Sequence, residues 1–379
     1  MNSRATLLVL MPIVSPWAHR VVEYLADHGL TVHVADLNVP APRNRSRTEE
    51  AIEALRPRVA GIHLQPARSQ SPWHLAGGTW QLRRLSRRLG AHALLALYGG
   101  RQATMAWLSG VRPYFVYVVG SDVLRTSGLR RRIQRHALGR AVQVLANGRA
   151  LAAEARALAP AAPVEELYLG IDLGRYRPPP ARTRGPHLVC SRVFDRVYDN
   201  ACIVRALASL DPWPEDLRMT FLSSGPLLEE TIGLADQLIP PSRRSALRFL
   251  GGATDAELFS ALQEATYYLS AAHSDGASAS LLEAMATGLL PIVTDTPANR
   301  EWLVQERNAL LFPPGDHAAL ARALETAFAW PAWVEAGLTR NLALVAERAD
   351  AAVNLRRLRD LLVAAQPSLL DQQRPKCSP

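Results

Sequence analysis

The sequence predicts an α/β protein made of two doubly wound, Rossmann-like domains. Strand-like apolar runs alternate with helical segments in the first half, and the same alternation starts again in the second half. Between the halves, Arg175–Pro186 is rich in proline and arginine, which is typical of a linker or an exposed loop. With 379 residues, the chain is long enough for two domains that each bury a core. Because ligands bind outside the carboxyl ends of parallel strands, we expect the two domains to face each other across a ligand-binding cleft.

The first domain is expected to open with a βαβ unit. Thr6–Met11 is an apolar run of strand length, and His19–His28 follows with helical spacing and a stop at Gly29. Leu30–Ala35 is the next predicted strand. Later strands are predicted at Leu94–Leu97, Phe115–Val119 and Val142–Ala146. Strand, helix and strand in this order imply a parallel sheet covered by helices.

The second domain repeats this pattern after the linker. A helix is expected from about Ala201, and strands are predicted at Leu188–Ser191, Met219–Leu222, Tyr267–Ala271 and Pro291–Thr294. A last amphipathic helix around Val353–Val363 precedes a polar tail. The predicted organisation is an N-terminal domain over residues 1–172, a C-terminal domain over 173–350, a helix over 351–365 that packs back towards the N-terminal domain, and a disordered tail over 366–379.

The composition is basic and poor in cysteine. The net charge is +9, and since Lys376 is the only lysine among 43 basic residues, 43 − 1 = 42 of them are arginine. Zinc-finger spacing, basic zippers and RNA-binding aromatic signatures are missing from the sequence, so we expect no nucleic-acid partner. The three cysteines lack metal-ligand spacing and indicate a reducing compartment. Thr6–Val14 is too short to span a membrane and has no cleavage site, so we expect a cytoplasmic protein.

Two arginine-rich stretches, Arg83–Arg88 and Arg130–Arg135, carry interleaved leucine or isoleucine. Such stretches bind anionic membrane surfaces, and they also occur as solvated faces of ordinary helices. The sequence leaves both interpretations open. The first would place the protein at the inner face of the membrane.

The most informative segment covers residues 271–288, where a predicted strand ends, a short loop follows and a helix begins. Gly276, Ala277 and Ser278 are small, so a ligand can approach their backbone, and the helix start favours a phosphate. Asp275 precedes this turn, and Glu283 lies about two helical turns later, where it could reach a ribose. The same residues also suit a helix cap and a solvated helical glutamate. Taken alone, an acidic pair at this spacing is weak evidence.

This segment resembles the donor-site region of glycosyltransferase family 4, whose members are retaining enzymes of the GT-B fold. The resemblance rests on Ser274–Met285, Thr294-Asp295, Ala298-Asn299-Arg300-Glu301 and Asn308–Asp316. The family signature has two acidic residues with seven others between them, which Asp275 and Glu283 match. The first is usually glutamate, so Asp275 is a shortened version. Further landmarks in family order are Ser15-Pro16, Gly120-Ser121-Asp122, Leu169-Gly170-Ile171-Asp172, Ser224-Gly225-Pro226 and Phe249-Leu250-Gly251.

The resemblance implies a donor site in the second domain. Arg192 ends the first strand there, where the family places an arginine on the donor diphosphate, and a guanidinium fork matches phosphate oxygens. The family usually adds a lysine a few residues later. This chain has none there, so Arg196 is the expected substitute and Tyr198 a weaker hydrogen-bond donor. Gly225 belongs to the same donor-binding set.

The first domain of this fold receives the acceptor. Trp17 and His19 follow the first strand and are candidate acceptor-binding residues. Asp122 could orient an acceptor hydroxyl or cap the helix after it, and the sequence does not separate these roles. Relatives often carry a histidine base just before Gly120, where this chain has Val119. We interpret Gly99-Gly100-Arg101 as a structural turn, and acceptor specificity is expected in loops such as Pro40–Thr48 and Ala67–His74.

The resemblance implies a retaining, metal-independent sugar transfer from a nucleotide sugar, with a UDP-sugar as the expected donor, to a hydroxyl acceptor. The sequence has no metal-binding cluster, and no further cofactor is implied. Arg192, Asp275 and Glu283 are the candidate catalytic residues, with the carboxylates positioning the sugar and ribose and neither acting as a nucleophile. The alternatives are a nucleotide-sugar epimerase of the same fold and a catalytically silent protein that binds sugar nucleotides.

Overall fold

The computed structural model describes residues 5–39, 45–66, 72–124, 126–182 and 184–370. Parts of the two predicted acceptor loops, residues 40–44 and 67–71, lie outside this range, as do residues 371–379 of the tail. The chain forms two compact units. One contains residues 1–169 together with 352–379, and the other contains residues 170–351.

The N-terminal unit is built on a parallel sheet. Its strands are β1 (Thr6–Leu10), β2 (Thr31–Val39), β3 (Gly61–Pro66), β4 (Ala91–Leu97), β5 (Tyr114–Val118), β6 (Gln143–Ala146) and β7 (Val164–Glu166). They lie in the order β3-β2-β1-β4-β5-β6-β7, so the strand order reverses between β1 and β4. The helices are α1 (Pro16–Asp27), α2 (Arg45–Leu55), α3 (Pro72–Leu89), α4 (Arg101–Ser109), α5 (Ser121–Leu124), α6 (Gly128–Gly139) and α7 (Arg149–Leu158).

The core of this unit lies on the central strands. Every residue of β1 and β5 is buried, because helices cover both faces of a parallel sheet. Leu8 of β1 pairs in register with His33 of β2 and with Leu94 of β4. This packing fixes the carboxyl ends of β1 and β4 side by side.

The C-terminal unit repeats the design with a second parallel sheet. Its strands are β8 (His187–Cys190), β9 (Arg218–Phe221), β10 (Leu247–Phe249), β11 (Tyr267–Ser270), β12 (Leu290–Thr294) and β13 (Leu310–Phe312), in the order β10-β9-β8-β11-β12-β13. The order reverses between β8 and β11. Its helices are α8 (Asn200–Ala208), α9 (Leu228–Leu238), α10 (Pro241–Arg244), α11 (Asp255–Glu264), α12 (Ala279–Ala286), α13 (Pro297–Arg300), α14 (His317–Phe328) and α15 (Trp333–Arg348).

The arginine- and proline-rich segment before β8 is anchored on the C-terminal unit. Arg182 donates to the backbone carbonyls of Leu262, Ala265 and Thr287, which lie at the ends of α11 and α12. Burial lowers the pKa of Arg182 to about 10. This segment, predicted as a linker or exposed loop, therefore caps two helices.

The chain returns to the N-terminal unit through α16 (Ala351–Ala365). Leu358 and Leu362 of this helix are fully buried, and Arg359 donates to the carbonyl of His28 over 3.0 Å. The tail, predicted to be disordered from residue 366, begins with a 3-10 turn at Pro367–Leu369 that buries Leu369. In the described ranges, no helix combines the length and apolar character needed to cross a bilayer.

Candidate functional site

Arg192 is the centre of a buried polar cluster in the C-terminal unit. It follows β8 at the point where the strand order reverses, and it is 9% exposed. One guanidinium nitrogen, Nη1, donates to the hydroxyls of Ser278 at 2.7 Å and Ser280 at 2.8 Å. The other, Nη2, forms an ion pair with Asp275 over 2.5 Å. The fold therefore brings together Arg192 and Asp275, two of the predicted site residues.

The charge of Arg192 is compensated inside the protein. Burial acts to lower its pKa, but the Asp275 carboxylate, followed by Tyr268 and Tyr198, outweighs burial and raises it. The guanidinium lies over the ring of Tyr198, with its carbon 4.1 Å from the ring centre. Tyr198 thus supports Arg192 through its ring, where we had expected its hydroxyl to act as a donor. One nitrogen, Nε, is buried without a hydrogen-bond partner.

Two residues that the sequence analysis missed, Tyr268 and Ser280, support this cluster through hydrogen bonds. The Tyr268 hydroxyl lies 2.8 Å from Ser280 Oγ, and Ser280 Oγ lies 3.0 Å from Ser278 Oγ. Tyr268 is fully buried on β11, and burial raises its pKa to about 12, so its hydroxyl stays protonated. Ser280 lies two residues after the predicted Ser278 in the sequence. Only the structure at the start of α12 shows that both hydroxyls contact the same guanidinium.

The turn before α12 is formed by Asp275, Gly276, Ala277 and Ser278, as the sequence analysis expected. Asp275 Oδ1 accepts from the backbone N–H of Gly276 at 2.9 Å, while its other oxygen holds the arginine. Ser278 caps α12, and its hydroxyl accepts from Leu281 N–H at 3.4 Å. Capping and arginine contact occur together, so the two interpretations of Ser278 are compatible.

Glu283 lies in the second turn of α12 and belongs to a separate contact. It is hydrogen bonded to Tyr176, which the sequence analysis did not identify. Burial and then the charge of Glu283 raise the pKa of Tyr176. The neighbouring Arg175 forms an ion pair with Asp255 over 2.9 Å. Glu283 is therefore positioned by the segment that enters the C-terminal unit.

Gly225 and Arg196 have different surroundings. Gly225 has φ +155°, and a Cβ atom there would lie 2.4 Å from the carbonyl oxygen of Phe194, so only glycine fits against the loop after Arg192. Arg196 is exposed and lines a cavity of about 790 Å³ between α8 and α9, together with His273 and Asp199. Within the described ranges, no hydrogen bond or ion pair joins Arg196 to the Arg192 cluster. This cavity is lined by residues near Arg192 in the sequence, but its lining does not include Arg192, Asp275 or Ser278.

The predicted acceptor residues lie at the carboxyl end of β1 in the N-terminal unit. Trp17 Nε1 donates to the hydroxyl of Tyr98 over 2.9 Å, and the two rings meet edge to face at 5.0 Å. The His19 ring nitrogen Nε2 contacts the carbonyl of Ile13 at 2.5 Å, so this ring is engaged by its own loop. Tyr98, which directly follows β4, was missed by the sequence analysis.

Asp122 is occupied by the backbone. Its carboxylate accepts from the N–H groups of Gly99 at 2.6 Å, Gly120 at 2.6 Å and Val119 at 3.1 Å. Burial raises the pKa of Asp122, and these backbone hydrogen bonds oppose the rise. Of its two predicted roles, this geometry favours the structural one. No group of three or more His, Cys, Asp or Glu side chains suited to a metal ion occurs within the described part of the chain.

Comparisons with known proteins agree with this arrangement. Residues 188–329 match the sequence model of "Glycosyl transferases group 1". A search of curated protein sequences gives no significant match. Among solved structures, sucrose-phosphate synthase from Thermosynechococcus elongatus is 17% identical, with a TM-score of 0.76 over 96% of this chain and 100% of the other.

Two further structures show the same architecture at low identity. HepE of Anabaena, solved with UDP and glucose, is 14% identical, with a TM-score of 0.75 over 95% of this chain and 100% of the other. WaaG, a glycosyltransferase involved in lipopolysaccharide biosynthesis, is 16% identical, with a TM-score of 0.68 over 94% and 99%. The protein therefore has the GT-B fold, and the match of its C-terminal unit to group 1 supports a nucleotide-sugar glycosyltransferase.

Proposed function

We propose that this protein transfers a sugar from a UDP-sugar to a hydroxyl acceptor, with retention of anomeric configuration and without a metal ion. The observation that carries the proposal is the buried Arg192 cluster at the carboxyl ends of β8 and β11, beside the start of α12. Phosphates bind at helix starts and to guanidinium groups. HepE, a structural neighbour, has been solved with UDP-glucose, which motivates the choice of uridine.

Arg192 would stabilise the leaving diphosphate. Negative charge develops on the leaving group as the glycosyl bond breaks, and a buried, preorganised guanidinium stabilises such charge strongly. Asp275 accepts from Nη2 of Arg192, so phosphate oxygens would take the place of this carboxylate. Asp275 would then be free to accept hydrogen bonds from hydroxyls of the donor sugar.

Glu283 would bind the ribose. Its carboxylate lies in the second turn of α12 and is hydrogen bonded to Tyr176. The start of this helix, where the phosphates would bind, lies one turn earlier. Because Gly225 has no side chain, its turn can pack closely against the loop after Arg192, and Gly225 would complete the donor site. Arg196, which lines the neighbouring cavity, is a secondary candidate for the diphosphate.

In the N-terminal unit, Trp17 and His19 would contact the acceptor. They lie just beyond β1, next to the reversal of strand order. Asp122 would contribute indirectly by holding the turn at Gly99.

The first experiment is a thermal shift assay with UDP, GDP, ADP, CDP and dTDP. A ligand at 100 times its dissociation constant should stabilise the protein by about 2.7 kcal/mol. We expect UDP to give the largest shift and Glu283→Gln to reduce it. Glu264→Gln, an exposed glutamate of α11 bonded to Ser260, is the matched control and should behave as the wild type. A well-folded wild type that no nucleotide stabilises would rule out this donor site.

Product analysis tests the chemistry. NMR of the product should show the anomeric configuration of the donor, and EDTA should leave the rate unchanged. Conversion of the donor sugar without any acceptor would point instead to an epimerase.

We also propose that the N-terminal unit associates with anionic membranes. Arg83, Arg84, Arg87 and Arg88 are exposed on α3, where Trp80 is 60% exposed, and Leu129 at the start of α6 is 71% exposed. Helix α4 packs against both α3 and α6. Basic side chains next to exposed apolar ones suit an anionic lipid surface. More protein should cosediment with phosphatidylglycerol vesicles than with phosphatidylcholine vesicles. Leu129→Ser should reduce the amount that cosediments with phosphatidylglycerol. Equal sedimentation with both lipids would contradict the proposal.

A further inference from the structure

The carboxyl ends of β1 and β4 form a second candidate binding site, in the N-terminal unit. The strand order of this sheet reverses between them, and ligands of open parallel sheets bind outside such a point. The loop after β1 leads to Trp17, and the turn after β4 leads to Arg101, the first residue of α4. The hydrogen bond from Trp17 to Tyr98 joins these two segments.

Arg101 carries an uncompensated charge at this point. Its Nε and Nη2 atoms are buried, and neither has a hydrogen-bond partner. Burial lowers the pKa of Arg101, and no neighbouring charge counteracts this effect. Throughout the described ranges, no carboxylate forms an ion pair with Arg101. Buried guanidinium nitrogens without an acceptor are unfavourable, and an anion that binds beside them would satisfy them.

The turn that carries Arg101 is rigidly built. Gly99 N–H donates to the Asp122 carboxylate over 2.6 Å, and the carbonyl of Gly99 accepts from Gln134 Nε2 over 2.9 Å. Gln134 is 2% exposed. Tyr98 has φ +106°, a left-handed conformation that is strained for tyrosine and that concentrates at ligand-binding sites. The fold thus holds a strained turn and an unpaired guanidinium together at the reversal point.

We propose that Arg101 binds an anionic group of the acceptor, either a carboxylate or a phosphate. This inference rests on the proposed function, because it names the class of acceptor that the glycosyltransferase would use. The fork of a guanidinium matches the paired oxygens of both groups. The edge-to-face rings of Trp17 and Tyr98 offer an adjacent apolar surface with polar rims. The diphosphate of the donor also presents anionic oxygens that could bind Arg101. The experiment therefore distinguishes binding of an acceptor anion from binding of the donor diphosphate.

The binding test uses the full-length protein and inorganic phosphate as the probe. Thermal stability is measured against phosphate concentration, at constant ionic strength with chloride and with UDP saturating the donor site. We expect phosphate to stabilise the wild type, and we expect Arg101→Met to weaken its apparent affinity at least tenfold, since a charge-assisted contact is lost. Arg58→Met is the control, because it removes the same charge from an exposed pair with Asp27. Equal phosphate affinity in the wild type and Arg101→Met would overturn the proposal.

Two further arms keep the outcome unambiguous. If Arg101→Met does not fold, Arg101→Lys replaces it; it keeps the charge, loses the fork and should bind phosphate more weakly. The affinity for UDP is measured without phosphate in each variant. A tenfold loss in Arg101→Met would assign Arg101 to the donor diphosphate and overturn the acceptor assignment. If UDP fails to bind the wild type, the proposed function fails, while the phosphate comparison without UDP still tests Arg101.

Transfer assays then compare matched acceptors. Release of UDP is measured with glucose, glucuronate and glucose 6-phosphate. We expect at least one anionic acceptor to exceed glucose at least tenfold in the wild type, and this preference should fall below threefold in Arg101→Met. A preference for glucose, or a preference for an anionic acceptor that persists in Arg101→Met, would contradict the assignment. If none of the three sugars is an acceptor, the phosphate binding test decides.

Discussion

Arg192 and Arg101 each lie just beyond a strand at the point where the strand order of a parallel sheet reverses. Arg192, in the C-terminal unit, is paired with Asp275 and two serine hydroxyls. Arg101, in the N-terminal unit, has two buried nitrogens without any partner. The reversal points of two similar sheets therefore each have an arginine nearby, one after β8 with a carboxylate partner and one after β4 with two nitrogens that have no hydrogen-bond partner among the described residues.

This difference predicts that the Arg192 site is stable without a ligand, whereas the Arg101 site is destabilised without one. Removing one partner of a buried ion pair strongly destabilises a protein, because the other charge remains uncompensated. The two buried nitrogens of the partly buried Arg101 have no protein acceptor, which is unfavourable, and a bound anion would relieve this. On the proposed assignments, a ligand of the first site would displace Asp275 from Arg192, whereas a ligand of the second would displace no carboxylate.

The largest expected effect is that of Arg192→Met. It leaves the Asp275 carboxylate without its partner, so we expect the free energy of unfolding to fall by about 3 kcal/mol and UDP stabilisation to disappear. Urea unfolding with and without UDP measures both. Arg58→Met is the matched control, since its pair with Asp27 is exposed and worth less than about 1 kcal/mol. Equal losses in the two variants would show that the buried pair is no more important than a surface pair.

Asp275→Asn should separate binding from transfer. The amide no longer competes electrostatically for Arg192, so UDP should bind about tenfold more tightly. The proposed contact to the donor sugar is weakened, so kcat/KM for transfer should fall about a hundredfold, equivalent to about 2.7 kcal/mol. Calorimetric UDP titration and initial rates measure the two effects. Weaker UDP binding would mean that Asp275 supports the nucleotide and does not compete with it.

Arg101→Met should change stability in the opposite direction. Without ligand, its free energy of unfolding should equal or exceed that of the wild type, by up to about 2 kcal/mol, because an unpaired buried charge has been removed. Urea unfolding in a buffer of monovalent chloride measures this, with Arg58→Met expected within about 0.5 kcal/mol of the wild type. A loss above about 2 kcal/mol would show that Arg101 already has favourable interactions in the empty protein.

The smallest effect is expected from Tyr268→Phe. It removes the hydroxyl that bonds Ser280 beneath Arg192 and should cost about 1 kcal/mol of stability. The KM for the donor should rise about fivefold while kcat changes less than twofold, because the tyrosine positions Arg192. Tyr267→Phe is a close control, since that hydroxyl bonds the carbonyl of Ala327 at a similar distance, 3.0 Å. If both variants raise KM equally, the positioning role is wrong.

The sequence analysis recovered the central strands and missed all four edge strands, β3, β7, β10 and β13. Central parallel strands are covered on both faces and form continuous apolar runs. Edge strands need no such run: β7 has no fully buried residue, and Arg248 in β10 is exposed. Their pairing depends on neighbours that are distant in sequence, so local patterns do not reveal them.

For the site, the family resemblance made Arg192, Asp275 and Glu283 candidates, but only the fold shows that Arg192 contacts Asp275 while Glu283 contacts Tyr176. Tyr268 is an ordinary strand residue by sequence, and its role appears only because β11 lies next to β8. We predicted Gly99-Gly100-Arg101 as a structural turn. Its Gly99 is indeed held by Asp122, but the uncompensated charge of Arg101 follows from burial, which a sequence pattern does not report.

Helix α16 has a consequence for how the protein is made. It belongs to the N-terminal unit, yet it is synthesised after the whole C-terminal unit. Domains generally fold as units while the chain leaves the ribosome. The contiguous C-terminal unit therefore has its complete sequence first, whereas the N-terminal unit waits for Leu358, Leu362 and Leu369. A gene fragment that ends at Leu169 would expose the surfaces that these leucines cover, so expression of the N-terminal unit alone requires residues 352–370 to be joined to it.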